Sequence, residues 1–218
     1  MTMNLADPLR SGLHELGLDV LQSHAPRLLD YLALLAKWNK VYNLTAVREP
    51  ERMLSQHVFD SLAVLPHIKG GNLLDVGSGA GLPGIPLAIA LPELQVTLLD
   101  SNHKKAAFLR QARIELGLLN VTVICGRVET WQAPDKFDMI ISRAFSELAT
   151  FAKLVGHLCV PGGVMLAMKG VHSIEEAGLL PANVVVERVI PLKVPALDAQ
   201  RHLLVMKTAA PSGQTNTC

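Results

Sequence analysis

The chain has 218 residues, enough for one substantial domain with a smaller extension, and half of them are hydrophobic. A net charge of +1 excludes a global basic field, so any contact with nucleic acid must rest on a local patch. The three cysteines are widely spaced and form no CxxC pair, which indicates neither a disulfide framework nor a zinc site. With no signal peptide and no apolar run long enough for a membrane span, we expect a soluble cytoplasmic protein that contacts no membrane and needs no metal.

Residues 1–65 are expected to be helical and to form an extension rather than a fold of their own. The first predicted helix has a leucine stripe and ends at Gly17. A second helix is predicted from about residue 23 to 38, and a third from 49 to 65.

The most informative stretch of the chain runs from residue 72 to 86. Three apolar residues around Asp75 predict a short buried strand, and four glycines follow within eight positions. The next apolar segment, up to Leu91, predicts a helix with Pro83 and Pro86 in its first turn. Because a ligand can lie against the bare backbone of such a turn, these residues predict a nucleotide-like cofactor.

Two cofactors fit these glycines. The spacing Gly79-x-Gly81-x-x-Gly84 is typical of dinucleotide-binding oxidoreductases, whereas Asp75-x-Gly77-x-Gly79-x-Gly81 is typical of class I methyltransferases. Asp75 favours the second class, because a carboxylate there suits the positive charges of S-adenosylmethionine and would repel a pyrophosphate. We therefore predict S-adenosylmethionine as the cofactor, with a nucleotide-dependent oxidoreductase as the alternative.

Beyond the extension, predicted strands and helices alternate, which indicates a parallel, doubly wound sheet. Strands are predicted over residues 72–76, 95–99, 121–125, 137–141, 164–168, 184–190 and 202–207. With the last two paired as an antiparallel hairpin, this is the Rossmann-like, seven-stranded, mostly parallel α/β sheet of class I S-adenosylmethionine-dependent methyltransferases. Residues 66–208 are assigned to this domain, and residues 209–218 are expected to form a polar, disordered tail.

Ligands of such sheets bind at the carboxyl ends of the strands, so the residues there are site candidates. Asp100 follows the glycine loop at about the 20-residue spacing at which an acid meets a ribose diol, although it could instead cap the next helix. Val128 and Glu129 follow the third strand, where an adenine would lie. Arg143 and Lys169 follow or end the fourth and fifth strands, on the expected substrate side.

The fourth strand leads into Ser142-Arg143-Ala144-Phe145. Enzymes that methylate exocyclic amino groups carry an Asn/Asp-Pro-Pro-aromatic turn at this place, and those that methylate pyrimidine C5 need a cysteine nucleophile. A nitrogen with a free in-plane lone pair, such as guanine N7, needs neither and has only to be placed in line with the methyl donor. Arginine is well suited to holding guanine O6 or an adjacent phosphate.

Several motifs taken together resemble one family. They are Trp38-Asn39-Lys40-x-x-Asn43-Leu44-Thr45, His57-x-x-Asp60-Ser61, the loop from Asp75 to Pro86, Leu98-Leu99-Asp100-Ser101, Ser142-Arg143-Ala144-Phe145 and Arg201-His202-Leu203. From about residue 28 to 207 the chain resembles the RsmG family (glucose-inhibited division protein B) of bacterial small-subunit rRNA methyltransferases. The resemblance implies methylation of guanine N7 in a conserved 16S rRNA loop near the decoding centre, with the small ribosomal subunit or an assembly intermediate as partner. It also implies that loss of the enzyme is associated, in some bacteria, with low-level streptomycin resistance.

Carried over by position, the cofactor contacts of the family fall on Gly77, Leu82, Val128, Glu129 and Arg143. Gly79, Gly81 and Asp100 are added from the general methyltransferase pattern. No residue is required as an acid or a base.

Two polar clusters in the helical extension have two interpretations each. The turn that follows Asn39 is typical of a helix C-cap, and His57 and Asp60, three apart on a helix, could form a structural pair. The resemblance favours a role at the site, so we predict that both clusters line the guanine pocket, with Asn39 and His57 as positioning candidates beside Arg143 and Lys169. A non-catalytic RNA-binding module is a second alternative, but the sequence, with 4% aromatic residues, supplies no evident open basic or aromatic face.

Overall fold

A computed structural model describes residues 4–143, 145, 147–170 and 178–208, and the predicted tail at 209–218 lies outside them. The α-helices of this part are α1 (Ala6–Glu15), α2 (Ala25–Tyr42), α3 (Pro50–Met53), α4 (Asp60–Leu62), α5 (Gly84–Ala90), α6 (His103–Glu115) and α7 (Leu148–Val155). Short 3-10 helices cover Asp19–His24, Leu65–His67 and Gly156–Leu158. Within the described ranges, no helix combines the length and the hydropathy that a membrane crossing needs.

The strands form one sheet in the order β3-β2-β1-β4-β5-β7-β6. Their bounds are β1 (Asn72–Val76), β2 (Gln95–Asp100), β3 (Val121–Cys125), β4 (Phe137–Ser142), β5 (Cys159–Lys169), β6 (Val184–Pro191) and β7 (His202–Thr208). Strand β7 is antiparallel to both of its neighbours, and the other pairs are parallel. The predicted seven-stranded, mostly parallel sheet is confirmed.

Strand β5 begins at Cys159 rather than at the predicted Val164. A proline and two glycines lie between these positions and suggested a turn in front of the strand. The sheet accommodates them in a bulge, because Phe137 pairs with Cys159 while Met139 already pairs with Val164. Turn-forming residues therefore lie inside a strand.

Hydrophobic cores cover both faces of the sheet. Leu73 packs into one core and its neighbour Leu74 into the other, as expected for alternating side chains of a strand. The core around Leu73 continues into α1 and α2 through Leu9 and Leu28. The N-terminal helices thus share a core with the sheet, and the domain boundary at residue 65 stays a prediction.

The third predicted helix is irregular. Between α3 and α4 the chain forms a π-helical segment, Leu54–Phe59. A π-helical turn changes the direction of the side chains that follow it, and such segments are frequent at functional sites. This one contains His57 and leads directly into Asp60, the first residue of α4.

Candidate active site

Three cavities lie side by side at the carboxyl ends of the parallel strands. The large cavity, of about 470 Å³, has Gly77 and Asp100 in its wall. The central cavity, of about 170 Å³, is bounded by the glycine loop and shares Gly77 with the large cavity. The arginine cavity, of about 380 Å³, shares Thr45 and Arg143 with the central cavity. The three adjoin where β1 lies between β2 and β4, the switch point at which ligands bind in open α/β sheets.

The glycine loop between β1 and α5 follows a path that only glycine adopts readily. Gly77, Gly79 and Gly81 have φ angles of 70°, 58° and 87°. The backbone N–H of Gly79 donates to Asp100 Oδ2 at 2.8 Å, which fastens the loop to the end of β2. Gly77, Gly79 and Leu82 line the central cavity, as predicted for residues beside a cofactor.

Gly81 was predicted to contact the cofactor, but it is not in the wall of any of the three cavities. A Cβ at this position would collide with the buried side chain of Ile85. The glycine is therefore needed for packing the loop against α5, not for exposing backbone to a ligand.

Asp75 also has a different role from the expected attraction of a charged cofactor. Its side chain is fully buried and is outside the walls of the three cavities. Oδ2 accepts a hydrogen bond of 2.9 Å from the backbone N–H of Gly84, the first residue of α5. Burial raises the pKa of Asp75 to about 7. The carboxyl group holds the start of α5 beneath the loop.

Asp100 lies in the wall of the large cavity, where a ribose was predicted. Its Oδ1 accepts from the N–H of Asn102 at 2.8 Å, in addition to the bond from Gly79 to Oδ2. The helix cap that was the alternative role belongs to Asn102, whose side chain accepts from the N–H groups of Lys104 and Lys105.

The rest of the large cavity is lined by both charged and apolar side chains. Val128 and Glu129 line it as predicted. Apolar wall groups come from Val76, Leu99, Phe145 and Leu154. Lys105 of α6, which was not among the predicted site residues, also lines this cavity.

The arginine cavity is organised around Asp60, whose side chain is only 2% exposed. Arg143 donates from Nη1 to Asp60 Oδ2 at 2.9 Å and to the carbonyl oxygen of Gln56 at 2.8 Å. Arg201 donates from Nε to Asp60 Oδ1 at 3.0 Å. One carboxylate thus holds two guanidinium groups, and the possible structural pair between His57 and Asp60 is not formed, although both residues line the arginine cavity as predicted.

His57 instead shares a hydrogen bond of 2.9 Å between its Nε2 and Thr45 Oγ1. Its Nδ1 is buried without a hydrogen-bond partner among the described residues. Burial is the main reason that the pKa of His57 is lowered from 6.5 to about 4, and the charge of Arg143 contributes to the same shift. The imidazole in the wall of the arginine cavity is therefore neutral at pH 7.

Asn39 does not line the cavity that it was predicted to line. It is buried behind the wall, where its Oδ1 accepts from the N–H of Thr45 at 2.9 Å and its Nδ2 donates to the carbonyl oxygen of Val47 at 3.3 Å. The asparagine shapes the turn, and Thr45 from that turn reaches the cavity.

Lys169 lines the arginine cavity as predicted, and Arg201 joins it there. The sequence placed Arg201 only within a family motif. A usable signal was the direction of β7: because this strand is antiparallel to β5, Lys169 pairs with His202 and the residue before β7 lies at the same edge as the carboxyl ends of the parallel strands.

Known proteins identify the family. The sequence model of the family described as rRNA small subunit methyltransferase G matches residues 24–204. The chain belongs to this rRNA methyltransferase family. Ribosomal RNA small subunit methyltransferase G of Nitrosospira multiformis is 57% identical, over 95% of this chain and 99% of its own length. The protein of the same name from Chromobacterium violaceum is 56% identical, over 94% of this chain and 99% of its own length.

Solved structures agree on the fold. A SAM-dependent methyltransferase from Aquifex aeolicus is 22% identical, with a TM-score of 0.59 over 79% of this chain and 97% of its own. The predicted class I methyltransferase fold and the preference for a methyltransferase over an oxidoreductase are confirmed.

Proposed function

We propose that the chain transfers a methyl group from S-adenosylmethionine to N7 of a guanine in the conserved 16S rRNA loop near the decoding centre. The substrate is the small ribosomal subunit or one of its assembly intermediates, which places the reaction in the cytoplasm. The observation that carries the proposal is the row of cavities: Gly77 joins the large cavity to the central one, and Arg143 joins the central cavity to the arginine cavity.

The residues of the large and central cavities fit S-adenosylmethionine. Val128 and Leu99 offer apolar surface for an adenine, and Asp100 and Glu129 offer carboxylate acceptors for ribose hydroxyls. Each oxygen of Asp100 accepts one backbone N–H and retains a further lone pair. We assign cofactor binding to Gly77, Gly79, Leu82, Asp100, Val128 and Glu129, with Arg143 at the junction.

When bound, S-adenosylmethionine supplies a methyl group that its sulfonium activates. The chain has to hold the guanine so that N7 faces this methyl, and positioning of this kind can contribute about 7 kcal/mol to lowering a barrier. Arg143 lies in the walls of both the central and the arginine cavity and is suited to guanine O6 or a phosphate. Lys169 and Arg201 add cations for the RNA backbone.

The states of Asp60 and His57 in the arginine cavity favour a substrate nitrogen that carries no proton. Asp60 is the one carboxylate among the described wall residues of the arginine cavity, and each of its oxygens accepts from an arginine. His57 is neutral at pH 7, donates or accepts toward Thr45, and with a pKa of about 4 is a weak base. Methylation of N7 requires no proton transfer, because one positive charge only moves from the sulfonium to the base.

The test uses labelled S-adenosylmethionine and small subunits from a strain that lacks the enzyme. We expect one labelled guanine in 16S rRNA, located by strand scission at N7-methylguanine. Label at an exocyclic amino group or on a ribosomal protein would contradict the proposal. Cofactor binding without transfer to subunits, to assembly intermediates or to free rRNA would contradict the proposed substrate.

A further inference from the structure

The last turn of α2 exposes one large aliphatic and one aromatic side chain. Val41 is 70% exposed and Tyr42 is 42% exposed. Lys40 and Asn43 are exposed beside them, and Arg48 is exposed on the following loop. These five residues are called the Tyr42 surface below. The described walls of the three cavities do not include them.

The ring of Tyr42 is held in place from behind. It packs against Trp38 with ring centroids 5.2 Å apart, and Trp38 packs edge-on against Phe108 of α6 with centroids 5.7 Å apart. Phe108 is fully buried, so the row of rings is anchored in the core. An exposed aromatic ring that is fixed in advance can stack on a base with little loss of conformational entropy.

Two cations lie at this end of α2. Lys40 is in the last turn of the helix, and Arg48 reaches back from the following loop, where its Nη2 donates to Asn43 Oδ1 at 3.2 Å. The nearby Glu49 is paired with Arg52 at 3.6 Å, so its charge is balanced. Lys40 and Arg48 therefore leave positive charge at this end of α2, although the whole chain carries only +1.

The chain continues directly from this surface into the site. Asn43, in a left-handed conformation with φ of 49°, ends α2. The next two residues, Leu44 and Thr45, line the central cavity, and Thr45 also lines the arginine cavity. A strand of RNA with one nucleotide in the arginine cavity would have neighbouring nucleotides within reach of Tyr42.

We propose that the Tyr42 surface binds single-stranded RNA that flanks the target nucleotide, with a base stacked on Tyr42 and phosphates on Lys40 and Arg48. The inference rests on the proposed function, since it names how that substrate docks. Two cations at the same helix end as an exposed aromatic ring match the alternation of phosphate and base in RNA. A ribosomal protein is the other partner that the test below has to distinguish.

The first experiment compares Tyr42→Ala with Tyr42→Phe in methyl transfer to small subunits. For Tyr42→Ala we expect KM for the subunit to rise about tenfold with kcat and cofactor affinity unchanged, because the base no longer has a ring to stack on. Tyr42→Phe keeps the ring and should behave as wild type. Leu119→Ala is the matched control, since Leu119 is 92% exposed just before β3, at the opposite edge of the sheet.

The salt dependence of KM tests whether Lys40 and Arg48 bind phosphates. Removing Lys40 or Arg48 as Lys40→Gln or Arg48→Gln should lower the slope of log KM against log salt by about 0.7 for each phosphate that the protein no longer neutralises. Lys136→Gln, an exposed lysine just before β4 at the opposite edge, should leave the slope unchanged.

The partner is identified by photocrosslinking from Tyr42→p-benzoyl-phenylalanine, which keeps an aromatic ring at the position. A crosslink to 16S rRNA beside the methylated guanine supports the proposal. A crosslink to a ribosomal protein, or an unchanged KM for Tyr42→Ala, overturns it. Failure of the proposed function is distinguishable, because the wild-type enzyme would then place no methyl group on a guanine N7 of 16S rRNA in subunits.

Discussion

The glycine loop with the large and central cavities, called the cofactor side below, and the arginine cavity are assembled in different ways. On the cofactor side, the key hydrogen bonds join backbone N–H groups to carboxylates nearby in the chain: Gly84 to Asp75 across 9 residues, and Gly79 to Asp100 across 21. In the arginine cavity, side chains meet from distant segments: Asp60 binds Arg143 across 83 residues and Arg201 across 141.

The two regions should therefore respond differently to single substitutions. The glycine loop is held by backbone hydrogen bonds, such as those from Gly77 and Ser78 to Leu99, as well as by several side chains, so no single side chain positions it. The two guanidinium groups of the arginine cavity share one carboxylate, and the loss of Asp60 would release Arg143 and Arg201 together. Substitutions in the arginine cavity should therefore lower turnover more than cofactor affinity, while those in the glycine loop should weaken cofactor binding.

Asp60→Asn should have the largest effect. Asparagine replaces one of the two carboxylate oxygens by an NH2 donor, so one of the two arginines loses its acceptor. Removing the charge of one partner in a buried charged network costs roughly 4 kcal/mol of stability. Misplacement of Arg143 should also lower kcat/KM for subunits about 100-fold. Cofactor affinity should change little. The measurements are subunit kinetics, cofactor titration and urea unfolding.

The matched control is Glu187→Gln, which removes a pair of 2.8 Å with Lys207 that is about 40% exposed on both sides. Such surface pairs contribute little to stability. Equal losses for both variants, or cofactor affinity falling as far as turnover, would show that the two sides are not separate.

The stability of the protein should depend on pH through His57. His57 has a pKa of about 4 in the folded protein and an ordinary value of 6.5 when unfolded. Between these values the unfolded state binds the additional proton, so the free energy of unfolding should fall by about 3 kcal/mol as the pH drops from 6.5 to 4. In His57→Gln this part of the pH dependence should be absent.

Urea unfolding of both proteins from pH 7 to pH 4 measures this difference. Other titrating groups are common to the two proteins, so the difference isolates His57. Parallel curves would mean that the imidazole is accessible to protons in the folded state.

On the cofactor side, Gly81→Ala should destabilise the protein by about 2 kcal/mol and weaken cofactor binding, because alanine is strained at a positive φ and its Cβ would collide with Ile85. Gly156→Ala is the control, since its φ is ordinary and a Cβ there meets nothing within 4 Å. Thermal unfolding and cofactor titration provide the comparison. A stable variant with intact affinity would refute the packing role.

The smallest effect is expected for Tyr31→Phe. The buried hydroxyl of Tyr31 donates to the carbonyl oxygen of Ala80 at 2.8 Å and joins α2 to the glycine loop. Losing this hydrogen bond should cost about 1 kcal/mol in urea unfolding and weaken cofactor binding slightly. Tyr42→Phe, which removes an exposed hydroxyl, should change neither quantity.

The sequence predicted the sheet and most of the cofactor side. Strands of a parallel sheet have continuous apolar runs, and glycines at fixed spacing shape a loop within one short segment, so both leave local patterns. The bulge in β5 was missed because the register against β4 is not a local property. Asp75 was recognised as important, but its role required knowledge of which way its carboxylate points.

The substrate side shows the limit of this reasoning. Local sequence patterns were enough to predict the fold class, the family and the acidic and basic residue types that can form the site. Three features became visible only in the packed chain: Asp60 binds two arginines rather than His57, Asn39 lies behind the cavity, and Tyr42 faces outward. Asp60 is 83 residues from one arginine and 141 from the other, so the packing of helices and strands determines that they meet. The Coulomb attraction itself depends on distance and not on sequence separation, so it leaves no local pattern.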